Sequence, residues 1–190
     1  MKVLTHRDAG LVVFQQSLDP GLARTFEDEC KELASNPLPE ASVCKDKGQL
    51  PFEVFAYSYS SETLASSGLS AITKILKNLG KETGYTATIN CQLPKSKGQF
   101  HDDYRAESQM TVIHASNGGL FEFAPNALTE EEAEKTAQKI EVNAGDMVVQ
   151  HNTDVLHRGI NPSDHNRYNM VVWRLKPLLD QSLNRDILSR

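Results

Sequence analysis

The chain reads as an α+β, mainly β protein, with two helices ahead of a run of short strands that roll into a sandwich or barrel. Three observations carry that reading. Apolar residues recur at helical spacing in two early stretches, Leu22, Phe26, Cys30 and Leu33, then Leu69, Ile72, Ile75, Leu76 and Leu79. From Tyr85 the period falls to two: Tyr85, Ala87, Ile89, Cys91 and Leu93 alternate with Thr86, Thr88, Asn90 and Gln92. Later apolar stretches are short and broken by turn sequences such as Asn117-Gly118-Gly119 and Asn143-Ala144-Gly145-Asp146.

Taken in order, Gly10 to Phe14 predicts a short buried strand. Asp19-Pro20 supplies an N-cap and a proline at the first helical position for the first helix. Residues 35–48, rich in Pro, Ser and Lys, predict a loop, and a strand follows over Pro51 to Tyr57. The second helix closes at Gly80 or Gly84. After the alternating strand come Gln109 to Ala115, Gly119 to Phe123, Lys139 to Val142, Met147 to Gln150 and Tyr168 to Leu175. Leu128-Thr129-Glu130-Glu131-Glu132 has the capping-box pattern of a brief exposed helix within an insertion, with Glu130 to Glu134 as a solvated face. Leu179, Leu183 and Ile187 predict a tail packed against its own chain.

The 190 residues, 39% hydrophobic, suit one domain over 1–190: an N-terminal segment 1–84, a β core 85–175 and a tail 176–190. No window approaches 18 consecutive apolar residues, so no membrane span is expected, and Met1 to Asp8 turns polar too early for a signal peptide. Lys and Arg against Asp and Glu give 20 − 25 = −5, which weighs against broad attraction to nucleic acid or anionic lipid. Cys30, Cys44 and Cys91 lie far apart and form neither a zinc spacing nor a disulfide framework, which fits a cytoplasmic protein.

The phrase Gln99-Phe100-His101-Asp102-Asp103-Tyr104 contains His-x-Asp. With six histidines and 25 acids, roughly one such pair arises by chance, and His6-Arg7-Asp8 has the same spacing. Context separates them. His101 and Asp103 follow the strand with the polar face, where a strand end can aim both side chains at one point while Asp102 turns away. A distant histidine would complete two imidazoles and one carboxylate on an octahedral ion, leaving positions open for ligands. Gly145-Asp146 opens the strand Met147 to Gln150, which leads to His157-Arg158-Gly159 and then to Arg167 through Trp173. His151 competes with His157 as that distal ligand.

From residue 85 to about 175 this pattern resembles the Fe(II)- and 2-oxoglutarate-dependent dioxygenase superfamily. The offsets are 157 − 146 = 11 from Gly-Asp to the distal His and 167 − 157 = 10 to the following Arg. The offset and the His-Arg-Gly context favour His157 over His151. The resemblance implies a double-stranded β-helix (a jelly roll, or cupin-like barrel) with N-terminal helices packed on its outside. It implies a catalytic Fe(II) held by His101, Asp103 and His157, with 2-oxoglutarate and O2 as co-substrates. Arg167 would pair the distal carboxylate of 2-oxoglutarate through its planar fork. Asn90, Gln92 and Asn169 would line the same pocket, with Gln92 standing where many relatives have Tyr. Arg105 and Tyr104 are candidate substrate contacts. The implied reaction hydroxylates a C–H bond of a small-molecule, amino-acid-like or peptidyl substrate, releasing succinate and CO2. An intact Asp103 favours hydroxylation over halogenation.

An AlkB-like nucleic-acid or nucleotide demethylase shares Asn90, eleven before His101, and Arg167-Tyr168-Asn169, but Gln92, Val171, Trp173 and the charge of −5 depart from it. Prolyl hydroxylation of a protein is a further variant, although close relatives there carry Lys at the position of Arg167. A non-catalytic metal-binding jelly-roll module is the alternative of another class. Among the remaining residues, His114 and Trp173 are expected in the core and His6 and His165 at the surface.

Overall fold

The computed structural model describes residues 1–44, 54–103 and 106–175. In chain order these form β1 (Lys2–His6), a 3₁₀ turn (Arg7–Ala9), β2 (Leu11–Gln15), α1 (Pro20–Ser35), β3 (Ser42–Cys44), β4 (Val54–Ser60), α2 (Ser61–Ser66) and α3 (Ser70–Asn78). There follow β5 (Thr86–Gln92), β6 (Ser96–Lys97), β7 (Ala106–His114), β8 (Gly119–Ala124), α4 (Glu130–Thr136), β9 (Gln138–Val142), β10 (Met147–Gln150), β11 (Leu156–Asn161) and β12 (Arg167–Leu175). The strands make two antiparallel sheets, in the orders β1-β2-β10-β7-β12-β5-β4-β3 and β6-β11-β8-β9. This is the double-stranded β-helix that the resemblance implies.

Alternation along β5 decides how the layers stack. Ala87, Ile89 and Cys91 join Ile113, Tyr168, Met170 and Val172 against Phe26, Cys30 and Leu33 of α1 and Ile72, Ile75 and Leu76 of α3. The helices therefore cover the outer face of the larger sheet. Between the sheets a second apolar cluster holds Leu11, Val13, Met110, Val112, Phe121, Phe123, Ile140, Val142 and Val148. The other β5 residues, Thr88, Asn90 and Gln92, share the inward face with Arg167 and Asn169, their neighbours on β12.

Local signals explain the helices. Asp19 accepts the Leu22 N–H at 2.9 Å and Pro20 opens α1. Glu29 of α1 accepts the Ala71 and Ile72 N–H groups at 2.9 and 2.8 Å, which caps α3 from a neighbouring helix. Gly80, at φ 64°, ends α3 and lets the Lys81 N–H reach Leu76 O at 2.9 Å. In α4, Thr129 accepts the Glu132 N–H at 3.2 Å, and the Glu132 carboxylate accepts the Leu128 N–H at 2.8 Å.

Several elements differ from expectation. β3 lies inside the segment expected to be loop, and β1 inside an N-terminus that reads as polar. α2 is only six residues long, too short to show a period; it rests on Ser60 as N-cap. β11 was not anticipated because Leu156-His157-Arg158-Gly159-Ile160-Asn161 buries polar side chains on both faces and shows no alternation. The strand expected over Pro51 to Tyr57 is seen from Val54; residues 51–53, Tyr104, Arg105 and the tail with Leu179, Leu183 and Ile187 lie outside the described residues. No helix among the described residues is long and apolar enough to cross a membrane.

Asp146, 2% exposed, ties the turn before β10 to the end of β2: its carboxylate accepts the Gln16 and Asn143 N–H groups, both at 2.8 Å. The Gly-Asp pair is thus a structural tie as well as a spacing signal. Asp146→Ala would leave two N–H groups without their charged acceptor. It should lower the free energy of unfolding by about 2–4 kcal/mol, measured by urea denaturation.

Candidate metal and anion site

Two chain segments meet where β6 gives way to the approach to β7. His101 and His157 form an isolated antiparallel bridge, with His101 N–H to His157 O at 3.1 Å and His157 N–H to His101 O at 2.9 Å. This backbone pairing sets the two imidazoles side by side, ring centroids 4.6 Å apart. The Asp103 N–H donates to Thr153 O at 2.8 Å, and an Asp103 carboxylate oxygen lies 3.2 Å from His157 Nε2. One ligand atom from each of His101, Asp103 and His157 lies within 4.8 Å of the others. Neighbouring donors on an octahedral ion with ~2.1 Å bonds are about 3 Å apart, so the set needs only a small contraction to hold one.

The histidine tautomers suit that use. His157 Nδ1 lies 3.0 Å from Val155 O, and His101 Nδ1 lies 3.1 Å from Gln99 O. A carbonyl accepts only, so each Nδ1 serves as the donor there, and a cation that replaced the contact of His157 Nε2 with Asp103 would meet both Nε2 atoms. The Phe121 ring stacks on His157 at 5.5 Å. Gln150, fully buried, donates to Asn152 O at 2.9 Å and Val155 O at 3.3 Å. It thereby shapes the loop whose carbonyls hold His157 and Asp103. Burial opposes the charged form of Asp103. The His157 hydrogen bond and the charges of His157 and His101 more than offset this and hold its carboxyl below the usual value. His157 is buried, Asp103 partly so and His101 exposed, so the group opens to solvent on the His101 side. His151 stays outside it: its side chain is exposed and its N–H donates to Gly10 O.

Further along the same strands lies a second group. Phe121 and Gly119 alternate inward on β8, as do His157 and Gly159 on β11. A Cβ on Gly119 would land on the Arg167 guanidinium, and a Cβ on Gly159 would meet the Gln92 amide. Two glycines thus let Arg167 and Gln92 reach across from the larger sheet. Arg167, 1% exposed, donates from Nη1 to Gln92 Oε1 at 2.9 Å and from Nη2 to His114 Nδ1 at 2.7 Å. Arg167 Nε and His114 Nε2 are buried without partners. The Asn90 side chain donates to Asn169 Oδ1 at 2.9 Å, one cross-strand pair away. No carboxylate among the described residues pairs with Arg167.

A buried cation with only neutral neighbours is costly. Burial pushes Arg167 down to about 10. His114 must accept from Arg167, so it is neutral; burial first, then the Arg167 charge, push it well below its usual value. Arg167 thus keeps N–H groups unused by its neighbours, and a planar carboxylate fits a guanidinium fork.

Sequence analysis anticipated His101, Asp103 and His157 as one group, and the structure brings them together. It also pairs Arg167 with Gln92 and Asn169 with Asn90. His114 is expected to be a packed, hydrogen-bonded core residue, and it is: it is buried and its imidazole is the hydrogen-bond partner of Arg167. Its signal was its parity with Met110 and Val112, which face between the sheets. Trp173, expected in the core, is half-buried. It stands opposite Met110, whose β10 partner is Gln150, and so lies level with the support of His157. Arg158, not singled out, lies on the back of β11 between two carboxylates.

The folded state refuses a proton at His114 that the unfolded chain accepts near pH 6.5, so this residue withdraws stability as pH falls from 7 to 5. His114→Gln should flatten that part of the stability–pH curve by up to about 1.4 kcal/mol per pH unit, measured by denaturant unfolding. Identical slopes in the two proteins would mean that His114 takes up a proton as readily in the folded chain as in the unfolded one.

No protein-family model and no curated protein matches the chain. Solved structures do. A prolyl-4-hydroxylase from Pseudomonas putida aligns with a TM-score of 0.59 and 14% identity, over 88% of this chain and 94% of that one. A prolyl hydroxylase from Trichoplax adhaerens, in complex with a hypoxia inducible factor oxygen degradation domain peptide fragment, aligns with a TM-score of 0.63 and 11% identity, over 96% and 88%. SnoK, a non-heme alpha-ketoglutarate-dependent carbocyclase from nogalamycin biosynthesis, aligns with a TM-score of 0.59 and 17% identity, over 94% and 87%. The double-stranded β-helix of this chain is thus the fold of the Fe(II)- and 2-oxoglutarate-dependent oxygenases.

Proposed function

We propose that the chain is an Fe(II)- and 2-oxoglutarate-dependent oxygenase that hydroxylates a C–H bond of a small-molecule, amino-acid-like or peptidyl substrate. The observation that carries this reading is the buried Arg167, which has no acid partner among the described residues and whose partner Gln92 packs against Gly159, two residues along β11 from His157. A structural metal site would have no use for that cation.

His101, Asp103 and His157 would hold the iron, with both Nε2 atoms and one carboxylate oxygen as ligands. Together, the ion and the 2-oxo acid supply an oxidising power that side chains lack. The chain binds and orients. Arg167 holds the distal carboxylate of 2-oxoglutarate, with Gln92 and His114 fixing the guanidinium plane. Asn90 and Asn169 line the neighbouring polar row. Phe121 excludes water from one side of His157. The exposed side of His101 admits substrate, with Tyr104 and Arg105 following in sequence. A negative net charge favours a small or peptidyl substrate over a polynucleotide.

Anaerobic addition of Fe(II) and 2-oxoglutarate should produce a weak visible charge-transfer band and raise the melting temperature. Arg167→Ala should weaken 2-oxoglutarate binding roughly a hundredfold and leave metal affinity unchanged; Gly119→Ala, which displaces the guanidinium, should act in the same direction. His157→Ala should abolish the band and His151→Ala should keep it. Absence of both signals from the unaltered protein would instead support a non-catalytic module. Succinate release across amino acids, peptides, nucleotides and methylated oligonucleotides, corrected for uncoupled turnover, then selects the substrate class. Stimulation by methylated oligonucleotides alone would replace hydroxylation with demethylation.

A further inference from the structure

His101 is the most exposed of the three proposed ligands. It is exposed and lies outside the named strands, on a short segment between Lys97 and Asp103. A metal ligand must be held within about 0.5 Å of its working position. The neighbouring residue supplies the anchor. Phe100 is 4% exposed and packs in a small cluster with Ala124, Ala127 and Ala133, and the Arg158 guanidinium carbon lies 3.9 Å from its ring centroid.

Arg158 is in turn fixed on two sides. It stands opposite Glu122 in the β8–β11 register and donates from Nε to that carboxylate at 2.6 Å. Two further donors engage Glu134 of α4, at 2.5 Å from Nη1 and 2.9 Å from Nη2. Glu134 also pairs with Lys97 at 3.0 Å, and Lys139 pairs with Glu122 at 2.9 Å. One carboxylate of α4 therefore grips both segments that carry the proposed histidine ligands: Lys97 before His101, and Arg158 after His157. The adjacent pairs Phe100/His101 and His157/Arg158 send the histidines to the site and the clamp behind it. Arg158 and Glu122 are almost wholly buried and the Glu134 contact is bidentate, which sets this network apart from a solvated surface pair of small effect. The hydrogen bonds from Arg158 and then Lys97 hold Glu134 down to about 2, so the clamp stays ionised at neutral pH.

Building on the iron site proposed above, we propose that the α4 insertion is a brace for the metal centre, with Glu134 and Arg158 acting as positioning residues that set the placement of His101 through Phe100. Glu134 was read from sequence as part of a solvated face; in the structure its side chain is the link between the insertion and the site.

Co(II) is the probe, added anaerobically to the full chain and to Glu134→Ala, Glu134→Gln and Lys97→Ala. Glu134→Ala should weaken Co(II) binding about tenfold and alter the visible ligand-field spectrum. At saturating Co(II), the dissociation constant for 2-oxoglutarate should change less than twofold. Glu134→Gln, which keeps an acceptor for Arg158, should recover most of the metal affinity, and Lys97→Ala should fall between. An unchanged Co(II) affinity and spectrum, with only a lower melting temperature, would overturn the brace: α4 would then be held by Arg158 without any effect on His101. If the unaltered chain binds no Co(II), the metal-site reading itself falls, and the brace with it.

Discussion

The larger sheet is covered on both faces, and this governs everything at the candidate site. Alternate residues along its strands must enter two different environments. On β5, Ala87, Ile89 and Cys91 meet the helices while Thr88, Asn90 and Gln92 enter the space between the sheets. β12 divides in the same way, Tyr168, Met170 and Val172 against Arg167, Asn169 and Val171. A slip of one residue would bury the arginine against the helices and open the apolar row to the site. Inward polar groups persist because they answer one another across strands, Ser58 with Thr88, Asn90 with Asn169 and Gln92 with Arg167.

Two buried arginines on neighbouring elements show how environment separates structure from binding. Burial weakens the hold of Arg158 on its proton, but hydrogen bonds to Glu134 and Glu122 more than offset this and strengthen its charge overall. Each of its three nitrogens is engaged by a carboxylate within the protein. Arg167 is buried as deeply, yet its neighbours are an amide and a neutral imidazole, and part of its fork remains unused. The first arrangement consolidates a sheet. The second leaves a buried cation without an acid partner among the described residues, which is what supports its proposed role toward an anion.

Much of this was legible in sequence where the physics is local. The Asp19-Pro20 start, the capping pattern at Thr129 and the two-residue period of β5 depend on neighbours a few positions away, and each formed as expected. Spacing and resemblance single out His101, Asp103, His157 and Arg167 as candidates, and the first three lie together in the structure. β11 was not legible, since His157 and Arg158 are both buried, on opposite faces, for different purposes. His114 is the packed, hydrogen-bonded core residue that its apolar strand predicts, but the identity of its partner, Arg167, is set by a strand 53 residues away and is not legible locally.

The sequence by itself determined the periods, caps and turns, and with them α1, α3, α4, most of the strands and the identity of the chemically capable residues. These follow from backbone geometry and side-chain polarity over short distances. Only the tertiary structure decided which face of each strand looks inward, that His101 and His157 pair through their backbones, and that Glu134 reaches both segments behind them. Those outcomes depend on contacts between residues tens of positions apart. There the cost of burying charge and polar groups is settled by whichever partners the packed sheets bring within reach.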